Sequence, residues 1–234
     1  MTAQADGIQC VGKVEDPLQM VTKRYPLLAR EGWAHIAVIV AAAIAVHVFA
    51  GPWWAAPVWL AVVFVLQFFR DPSREIPDTP GLMVCPADGR VIVVEEAMDP
   101  YLNRRARRVS IFMNVFNVHS NRMPVAGQVV KRWYHAGRFL NAALDKASAE
   151  NERNALHVRT DDGQDVVVVQ IAGLIARRIL SYVAEGASVA RGERYGFIRF
   201  GSRVDIWMPL TADVRVSVGD KVSSGSDILA VFLR

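Results

Sequence analysis

Residues 33–69 read WAHIAVIVAAAIAVHVFAGPWWAAPVWLAVVFVLQFF and contain no Asp, Glu, Lys or Arg over 37 positions. Gly51-Pro52 divides this stretch into two apolar runs of 17 residues each, Ala34–Ala50 and Trp53–Phe69. At about 1.5 Å of rise per residue, each run would form a helix about 25 Å long, close to the thickness of a hydrocarbon core. The stretch therefore predicts a hydrophobic helical hairpin embedded in a membrane.

Basic residues flank the hairpin on both sides. They are Lys13, Lys23, Arg24 and Arg30 before it, and Arg70 and Arg74 after it. A hairpin returns both flanks to the same side of the membrane, and the positive-inside rule makes that side the cytoplasm. We therefore expect the protein at the cell membrane, with the rest of the chain on the cytoplasmic face. A shallow re-entrant pair is the main variant, and a hairpin buried in a soluble core is the alternative.

The composition excludes several classes of protein. The chain has 234 residues, of which 52% are apolar and 21% charged, so it is not an intrinsically disordered chain. The net charge of +4 is weak and no zinc-finger spacing accompanies it, so we expect no nucleic-acid partner. Two cysteines, Cys10 and Cys85, can form neither a disulfide framework nor a four-ligand metal site. No metal is expected.

After Phe69 the composition of the sequence changes. A proline-rich linker comes first, and from about Leu82 short apolar segments alternate with turn residues. The predicted strands are Arg90–Val94, Val109–Phe116, Val129–Tyr134, Leu156–Arg159, Val166–Ile171, Phe197–Phe200, Val204–Met208 and Ile228–Phe232. Helices are predicted at Gly137–Ser148 and Leu174–Val183. The expected fold class is mainly β (α+β), a barrel-sandwich-like β domain preceded by the helical hairpin. The expected division is a membrane-surface segment at 1–32, the hairpin at 33–69 and the β domain at 70–234.

One short pattern occurs twice in the β domain. Gly186-x-x-Val189-x-x-Gly192 is repeated 33 positions later as Gly219-x-x-Val222-x-x-Gly225. This spacing suits a tight connection in which glycines with positive φ stand on either side of a buried valine. Such turns occur in lipoyl- and biotinyl-carrier domains. Those carriers need an exposed lysine at a hairpin tip, whereas the nearby Lys221 lies inside the turn.

The segment with the clearest chemical meaning is residues 195–205, YGFIRFGSRVD. It resembles the self-cleavage site of the phosphatidylserine decarboxylases, specifically of their short form. Further segments resemble this family in the same order along the chain. They are FFRDP at 68–72, PADGRV at 86–91, NVHSNRMP at 117–124, YHAGRFLNA at 134–142 and ENERN at 150–154. The resemblance thus covers most of the chain from Phe68 onward.

This resemblance implies an enzyme that makes a pyruvoyl group from its own backbone. The Ser202 hydroxyl would attack the carbonyl of Gly201, and β-elimination would then split the chain into a large chain, 1–201, and a small chain, 202–234. The pyruvoyl group left at position 202 would form a Schiff base with the substrate amine and accept the electrons released with CO2. Neither pyridoxal phosphate nor a metal would be needed. The two chains would remain together as a heterodimer that could assemble further.

The resemblance also assigns supporting residues. His119 matches the motif histidine and would act as the base, and Asp88 of the PADG turn would be the carboxylate that orients it. Long-form members carry a second histidine where this chain has Arg122, which stays protonated and cannot act as a base. We favour the interpretation that His119 serves in both cleavage and decarboxylation. The alternative is that His135 or His157 performs the role of the second histidine. Arg122 could instead bind a carboxylate or phosphate, and His135 is a further candidate for substrate binding.

The substrate expected from the resemblance is a phospholipid with a serine headgroup, decarboxylated to phosphatidylethanolamine. Its acyl chains would stay in the membrane while the headgroup enters the site. The arginines at 104, 105, 107 and 108 would either bind the anionic membrane surface or form a solvated turn. Two alternatives to this function are the same chemistry on another serine-headed lipid, and a non-enzymatic, membrane-tethered barrel-sandwich adaptor.

Overall fold

The computed structural model describes residues 20–23, 25–143, 150–174, 178–199 and 201–233. A 3₁₀ turn at Arg30–Gly32 leads into two consecutive helices, α1 (Trp33–Ala50) and α2 (Pro52–Phe68). Gly51 separates them with a φ of +89°, which a residue with a side chain rarely adopts, and Pro52 begins α2 where no N–H is needed. The predicted helical hairpin is confirmed.

The hairpin exposes nearly all of its apolar surface. Only Ala43 is buried in α1, and only Ala55, Val62 and Phe68 are buried in α2. Within the described residues, Arg30–Ala50 is the one helix long and apolar enough to cross a membrane, and the 17 residues of α2 fall just short of that length. Such a surface has no counterpart in a soluble core, where a helix buries at least one face.

The rest of the described chain forms sixteen short strands. They are β1 (Met20–Lys23), β2 (Arg74–Pro77), β3 (Leu82–Val84), β4 (Gly89–Asp99), β5 (Arg104–Met113), β6 (Ser120–Arg122), β7 (Gly127–His135), β8 (Arg153–Arg159), β9 (Asp165–Ala172), β10 (Ile179–Ser181), β11 (Ser188–Val189), β12 (Arg194–Ile198), β13 (Ser202–Met208), β14 (Ala212–Val214), β15 (Lys221–Val222) and β16 (Ile228–Phe232). Each segment predicted as a strand overlaps one of these, and the mainly β fold class is confirmed.

Three antiparallel sheets enclose the main core. The largest has eight strands in the order β11-β7-β8-β9-β13-β5-β4-β15, and it curls around apolar side chains on its inner face. Two three-stranded sheets, β10-β12-β6 and β14-β16-β3, complete the enclosure. The central strand β9 is buried on both faces, because Val166 and Val168 enter this core while Val167 and Val169 pack under Trp207 on the outer face. This explains its uninterrupted run of valines.

The repeated glycine pattern has the predicted geometry. Gly186, Gly192, Gly219 and Gly225 all have positive φ, between 69° and 101°. The valine of each copy is buried, Val189 in β11 and Val222 in β15. These two-residue strands form the two opposite edges of the eight-stranded sheet, against β7 and β4. The repeat therefore ends the sheet in the same way on both sides.

Neither predicted helix is present in the residues that the structure describes. Residues 137–143 are not helical, because Arg138 bridges to Asn151 and a Cβ on Gly137 would lie 2.4 Å from the Asn151 carbonyl carbon. Residues 144–148 of that prediction lie outside the described residues. Residues 175–177 of the second prediction, Leu174–Val183, also lie outside the described residues. In its described part, residues 179–181 form strand β10, whose partner is β12, so the helix predicted there was wrong. Pairing with a neighbouring strand outweighed the helical pattern of the local sequence.

The predicted segment 1–32 is described only from Met20, with Arg24 omitted. In that part, β1 pairs with β2, the backbone of Leu28 bridges to Arg70, and Glu31 accepts a hydrogen bond from Arg194 of the β domain. The chain just before the hairpin is therefore attached to the chain just after it. Its position at a membrane surface stays a prediction.

Candidate active site

Ser202 lies at the centre of the curled sheet. It is the first residue of β13, where it pairs with Met113 of β5 on one side and with Ala172 of β9 on the other. The residue is fully buried, and its hydroxyl donates to the Met113 sulfur at 3.3 Å. A thioether is a weak acceptor, so the hydroxyl oxygen keeps its lone pairs in a site shielded from water.

The residue before it has an unusual backbone. Gly201 has a φ of +65°, in the left-handed region that costs a residue with a side chain about 1–2 kcal/mol. Its carbonyl oxygen packs directly against Gly173, where a Cβ would lie only 2.1 Å from that oxygen and 2.9 Å from the carbonyl carbon. Two glycines thus hold the Gly201–Ser202 peptide bond in a conformation that larger residues would disturb.

His119 lies next to this peptide bond. Its Nε2 accepts a hydrogen bond from the backbone N–H of Gly201 at 3.4 Å, and its Nδ1 lies 2.9 Å from the carbonyl oxygen of Asn117. Because a carbonyl can only accept, the neutral ring carries its proton on Nδ1 and a lone pair on Nε2. The imidazole therefore faces the candidate cleavage site with its basic nitrogen.

The surroundings of His119 keep the ring neutral. Burial lowers its pKa from 6.5 to about 4; the hydrogen bond to Asn117 opposes this, and the positive charge of Arg70 adds to it. The ring of Phe68 lies against the imidazole at 4.3 Å between centroids, and Phe197 lies at 6.3 Å. At neutral pH the side chain is therefore uncharged and able to accept a proton.

The structure connects Asp88 and His119 to different residues. The Asp88 carboxylate binds Arg74, with Nη2 at 2.9 and 2.7 Å from its two oxygens, and it accepts the backbone N–H of Ser224 at 2.8 Å. The ring nitrogens of His119 bond to Asn117 and Gly201 instead. Asp88 is linked to the histidine segment by the backbone, since the carbonyl of Pro86 accepts the N–H of Arg122.

Arg122, at the position of the second motif histidine, is fully buried and forms an ion pair with Asp71 at 2.7 Å. Its guanidinium also lies over the ring of Tyr25. Burial lowers the pKa of Arg122, while the charge of Asp71 raises it. Since Asp71 is itself buried, the pair satisfies two charges that would otherwise be costly to bury. The structure therefore gives Arg122 a partner within the protein.

The other candidate histidines lie elsewhere. His135 is exposed at the end of β7 and lines a cavity of about 600 Å³ on the outer face of the sheet, with Trp133 and Trp207. His157 in β8 bonds to Asp165 at 2.7 Å, beside Arg159. Of the three histidines named by the sequence, the structure brings only His119 into hydrogen-bond contact with the Gly201–Ser202 segment.

The arginine-rich strand β5 is largely neutralised. Arg105 and Arg107 pair with Glu96, Arg108 pairs with Glu95, and Arg104 lies near Asp99, all across the β4–β5 hairpin. These pairs reduce the positive charge that this part of the surface presents to its surroundings. The cross-strand register explains them, since residues facing each other on one face of an antiparallel pair lie within reach.

Sequence reasoning missed a chain of buried amides beside the site. Gln170 donates to Asn121 at 2.8 Å and accepts from Asn154 at 3.1 Å, and Asn121 in turn approaches the Met113 sulfur at 3.8 Å. The Met113 sulfur therefore contacts both the Ser202 hydroxyl and this chain. A signal was present, because Gln170 interrupts an otherwise apolar strand, and a buried polar residue needs a partner.

Comparison with known proteins shows the family to which the chain belongs. The family model for phosphatidylserine decarboxylase matches residues 62–230. The chain belongs to the phosphatidylserine decarboxylase family. Three curated relatives carry the name phosphatidylserine decarboxylase proenzyme. The one from Aromatoleum aromaticum is 63% identical over 206 residues, the one from Cupriavidus taiwanensis 59% over 207, and the one from Nitrosomonas europaea 58% over 208.

These matches cover 88–89% of this chain and 96% of each of these relatives. Membership of the phosphatidylserine decarboxylase family confirms the resemblance found in the sequence, and it makes this chain an enzyme of that type. The matched region includes His119, Gly201 and Ser202 as well as the end of α2. Within the described residues, no cluster of three or more His, Cys, Asp or Glu side chains could hold a metal ion.

The low pKa of His119 predicts a pH-dependent loss of stability. Between pH 6.5 and about 4 the unfolded chain binds a proton at this histidine that the folded chain does not, so stability falls as the pH is lowered through that range. The full contribution is on the order of 3 kcal/mol. Thermal unfolding midpoints at pH 7.5, 6, 5 and 4.5 should fall less steeply for His119→Gln than for wild type. Parallel curves for the two proteins would contradict a buried neutral His119.

Proposed function

We propose that this protein decarboxylates phosphatidylserine to phosphatidylethanolamine at a membrane, after cutting its own chain between Gly201 and Ser202. The observation that carries the proposal is the arrangement of Ser202, Gly201 and His119. A buried hydroxyl follows a left-handed glycine, and the basic nitrogen of a neutral histidine faces the same backbone segment. Family membership supports the reaction, and this geometry supports the self-cleavage.

In the proposed self-cleavage, the Ser202 hydroxyl turns from the Met113 sulfur toward the Gly201 carbonyl. The Ser202 oxygen attacks the Gly201 carbonyl carbon while His119 Nε2 accepts the hydroxyl proton. His119 then gives this proton to the Ser202 nitrogen as the Gly201–Ser202 C–N bond breaks, which leaves an ester and a free amino group on Ser202. Removal of the Ser202 α-proton then expels the Gly201 carboxylate from the β-carbon. Tautomerisation to an imine and hydrolysis by water release ammonia and leave a pyruvoyl group at position 202.

The site fits the formation of that group. Gly201 and Gly173 lack the side chains that would keep Ser202 away from the carbonyl, and burial excludes water that would compete as a nucleophile. Strand pairing of β13 with both β5 and β9 would hold the small chain, 202–234, to the large chain after the cut. A pyruvoyl group at position 202, held between β5 and β9, would supply a ketone that can react with the substrate amine and accept the electrons left by departing CO2.

Membrane attachment would place the substrate beside this site. The exposed faces of α1 and α2 are apolar, and Trp53 and Trp54 are exposed in the first turn of α2. At the other end of the hairpin, Phe68 and Phe69 pack on Phe197, within the same cluster that surrounds His119. A lipid could keep its acyl chains in the bilayer while its headgroup reaches the site. The basic flanks favour the cytoplasmic face.

Release of labelled CO2 tests the decarboxylation directly. Purified protein in detergent–lipid micelles should release CO2 from carboxyl-labelled phosphatidylserine, because the lipid presents both the amine and the carboxylate. Ser202→Ala should release none, while Ser226→Ala should behave as wild type because Ser226 plays no part in the proposed chemistry. Activity on an ether-linked serine lipid but not on phosphatidylserine would favour the alternative substrate. No release from any serine-headed lipid would favour the adaptor.

The close packing of Gly173 against the Gly201 carbonyl predicts that a side chain at position 173 slows self-cleavage. Gly173→Ala should slow self-cleavage about a hundredfold, because the new Cβ would displace the Gly201 carbonyl from the Ser202 hydroxyl. The control is Gly163→Ala, which introduces a side chain at a φ of +78° but meets no atom within 4 Å. Time courses of cleavage in cell-free translation should separate the two variants. Equal cleavage rates would show that the carbonyl position does not limit the reaction.

A further inference from the structure

The segment that holds His119 is a short loop between β5 and β6. Asn114 and Asn117 close its first turn, because the Asn114 N–H donates to the Asn117 side-chain oxygen at 2.8 Å and the Asn117 N–H donates to the Asn114 carbonyl at 3.0 Å. The N–H of Phe116 donates to the Asn114 side chain at 2.9 Å. The turn is thus internally bonded, but these bonds do not attach it to the rest of the molecule.

Two side chains, Gln67 in the last turn of α2 and Arg70 just after it, attach this turn to the end of the hairpin. The carbonyl oxygen of Phe116 accepts a hydrogen bond from Gln67 Nε2 at 2.9 Å and another from Arg70 Nη2 at 2.8 Å. Arg70 also donates through Nη1 to the carbonyl of Gln67 at 2.7 Å. Arg70 therefore joins the end of the hairpin to the loop, and both lone pairs of one loop carbonyl are occupied.

This attachment leads directly to the reactive segment. The next carbonyl along the chain, that of Asn117, bonds to Nδ1 of His119, and Nε2 of the same ring accepts the Gly201 N–H. Phe68, which lies between Gln67 and Arg70 in the sequence, packs on the imidazole with 4.3 Å between the ring centroids. A displacement of the Phe116 carbonyl would move the Asn117 carbonyl, and with it the group that selects the tautomer of His119.

We propose that Gln67 and Arg70 are positioning residues for His119, so that the end of the membrane hairpin belongs to the reactive site as well as to the anchor. This inference rests on the proposed function, in which His119 is the base of self-cleavage. Its consequence is that withdrawal of the end of α2 from the β domain slows the chemistry even where Ser202, Gly201 and His119 are intact. Hairpin position and catalytic competence are thereby coupled.

Cleavage time courses in cell-free translation with lipid nanodiscs test the proposal. Gln67→Ala and Arg70→Gln should each slow cleavage by about tenfold or more, because a small displacement of a base costs that much. Arg70→Lys should recover part of the rate, since lysine retains the charge and can donate to one of the two carbonyls but lacks the planar fork. Ser202→Ala provides the uncut reference.

The controls separate positioning from general stability. Arg105→Gln removes an exposed charge far along β5 and should cleave as wild type. Thermal midpoints are measured for every variant in the uncut Ser202→Ala background. Wild-type rates in Gln67→Ala and Arg70→Gln would overturn the inference, and so would slowing that merely follows a lowered midpoint. Failure of the wild type itself to cleave would instead overturn the proposed function.

Discussion

The structure of the site depends on one buried side chain, the neutral imidazole of His119 held between the Asn117 carbonyl and the Gly201 amide. Burial alone would make any unsatisfied ring nitrogen costly, and these two backbone groups satisfy both. They also fix the tautomer, which leaves the lone pair on the nitrogen nearest the Gly201–Ser202 bond. Burial, to which the rings of Phe68 and Phe197 contribute, and the charge of Arg70 keep the pKa of His119 low, so the imidazole is unprotonated at neutral pH.

The fold supplies this arrangement from segments that are distant in sequence. Ser202 enters between β5 and β9, His119 comes from the loop before β6, and Phe68 comes from the end of the hairpin. A buried ion pair, Asp71 with Arg122, and a half-buried one, Arg194 with Glu31, join the residues around the hairpin to the same region. A buried ion pair is weak evidence for stability, because the cost of removing both charges from water can exceed their attraction. Here the two pairs join the apolar hairpin to the β domain.

Much of this was predictable from the sequence. The apolar hairpin followed from a charge-free stretch, the strands from alternation and turn residues, and the glycine pairs from their spacing, because each is a local property. In the described parts of Gly137–Ser148 and Leu174–Val183 the predicted helices were wrong, because a strand partner and a backbone contact decide their conformation. The same limit applies to the site. The resemblance to the family pointed to Ser202 and His119. It could not show which side chains bond to each other, because that depends on tertiary packing. Examples are Arg74 with Asp88, Asp71 with Arg122 and Gln170 with Asn121.

The central claim is that the chain cuts itself between Gly201 and Ser202, and intact mass of the purified, denatured protein tests it most directly. The account predicts two chains, 1–201 and 202–234, with the small chain blocked at its N-terminus and lighter than its sequence by the difference between serine and pyruvoyl. Ser202→Ala should give one chain only. A single uncut chain of about 25.9 kDa in an active wild-type preparation, indistinguishable from the variant apart from the substitution, would contradict it.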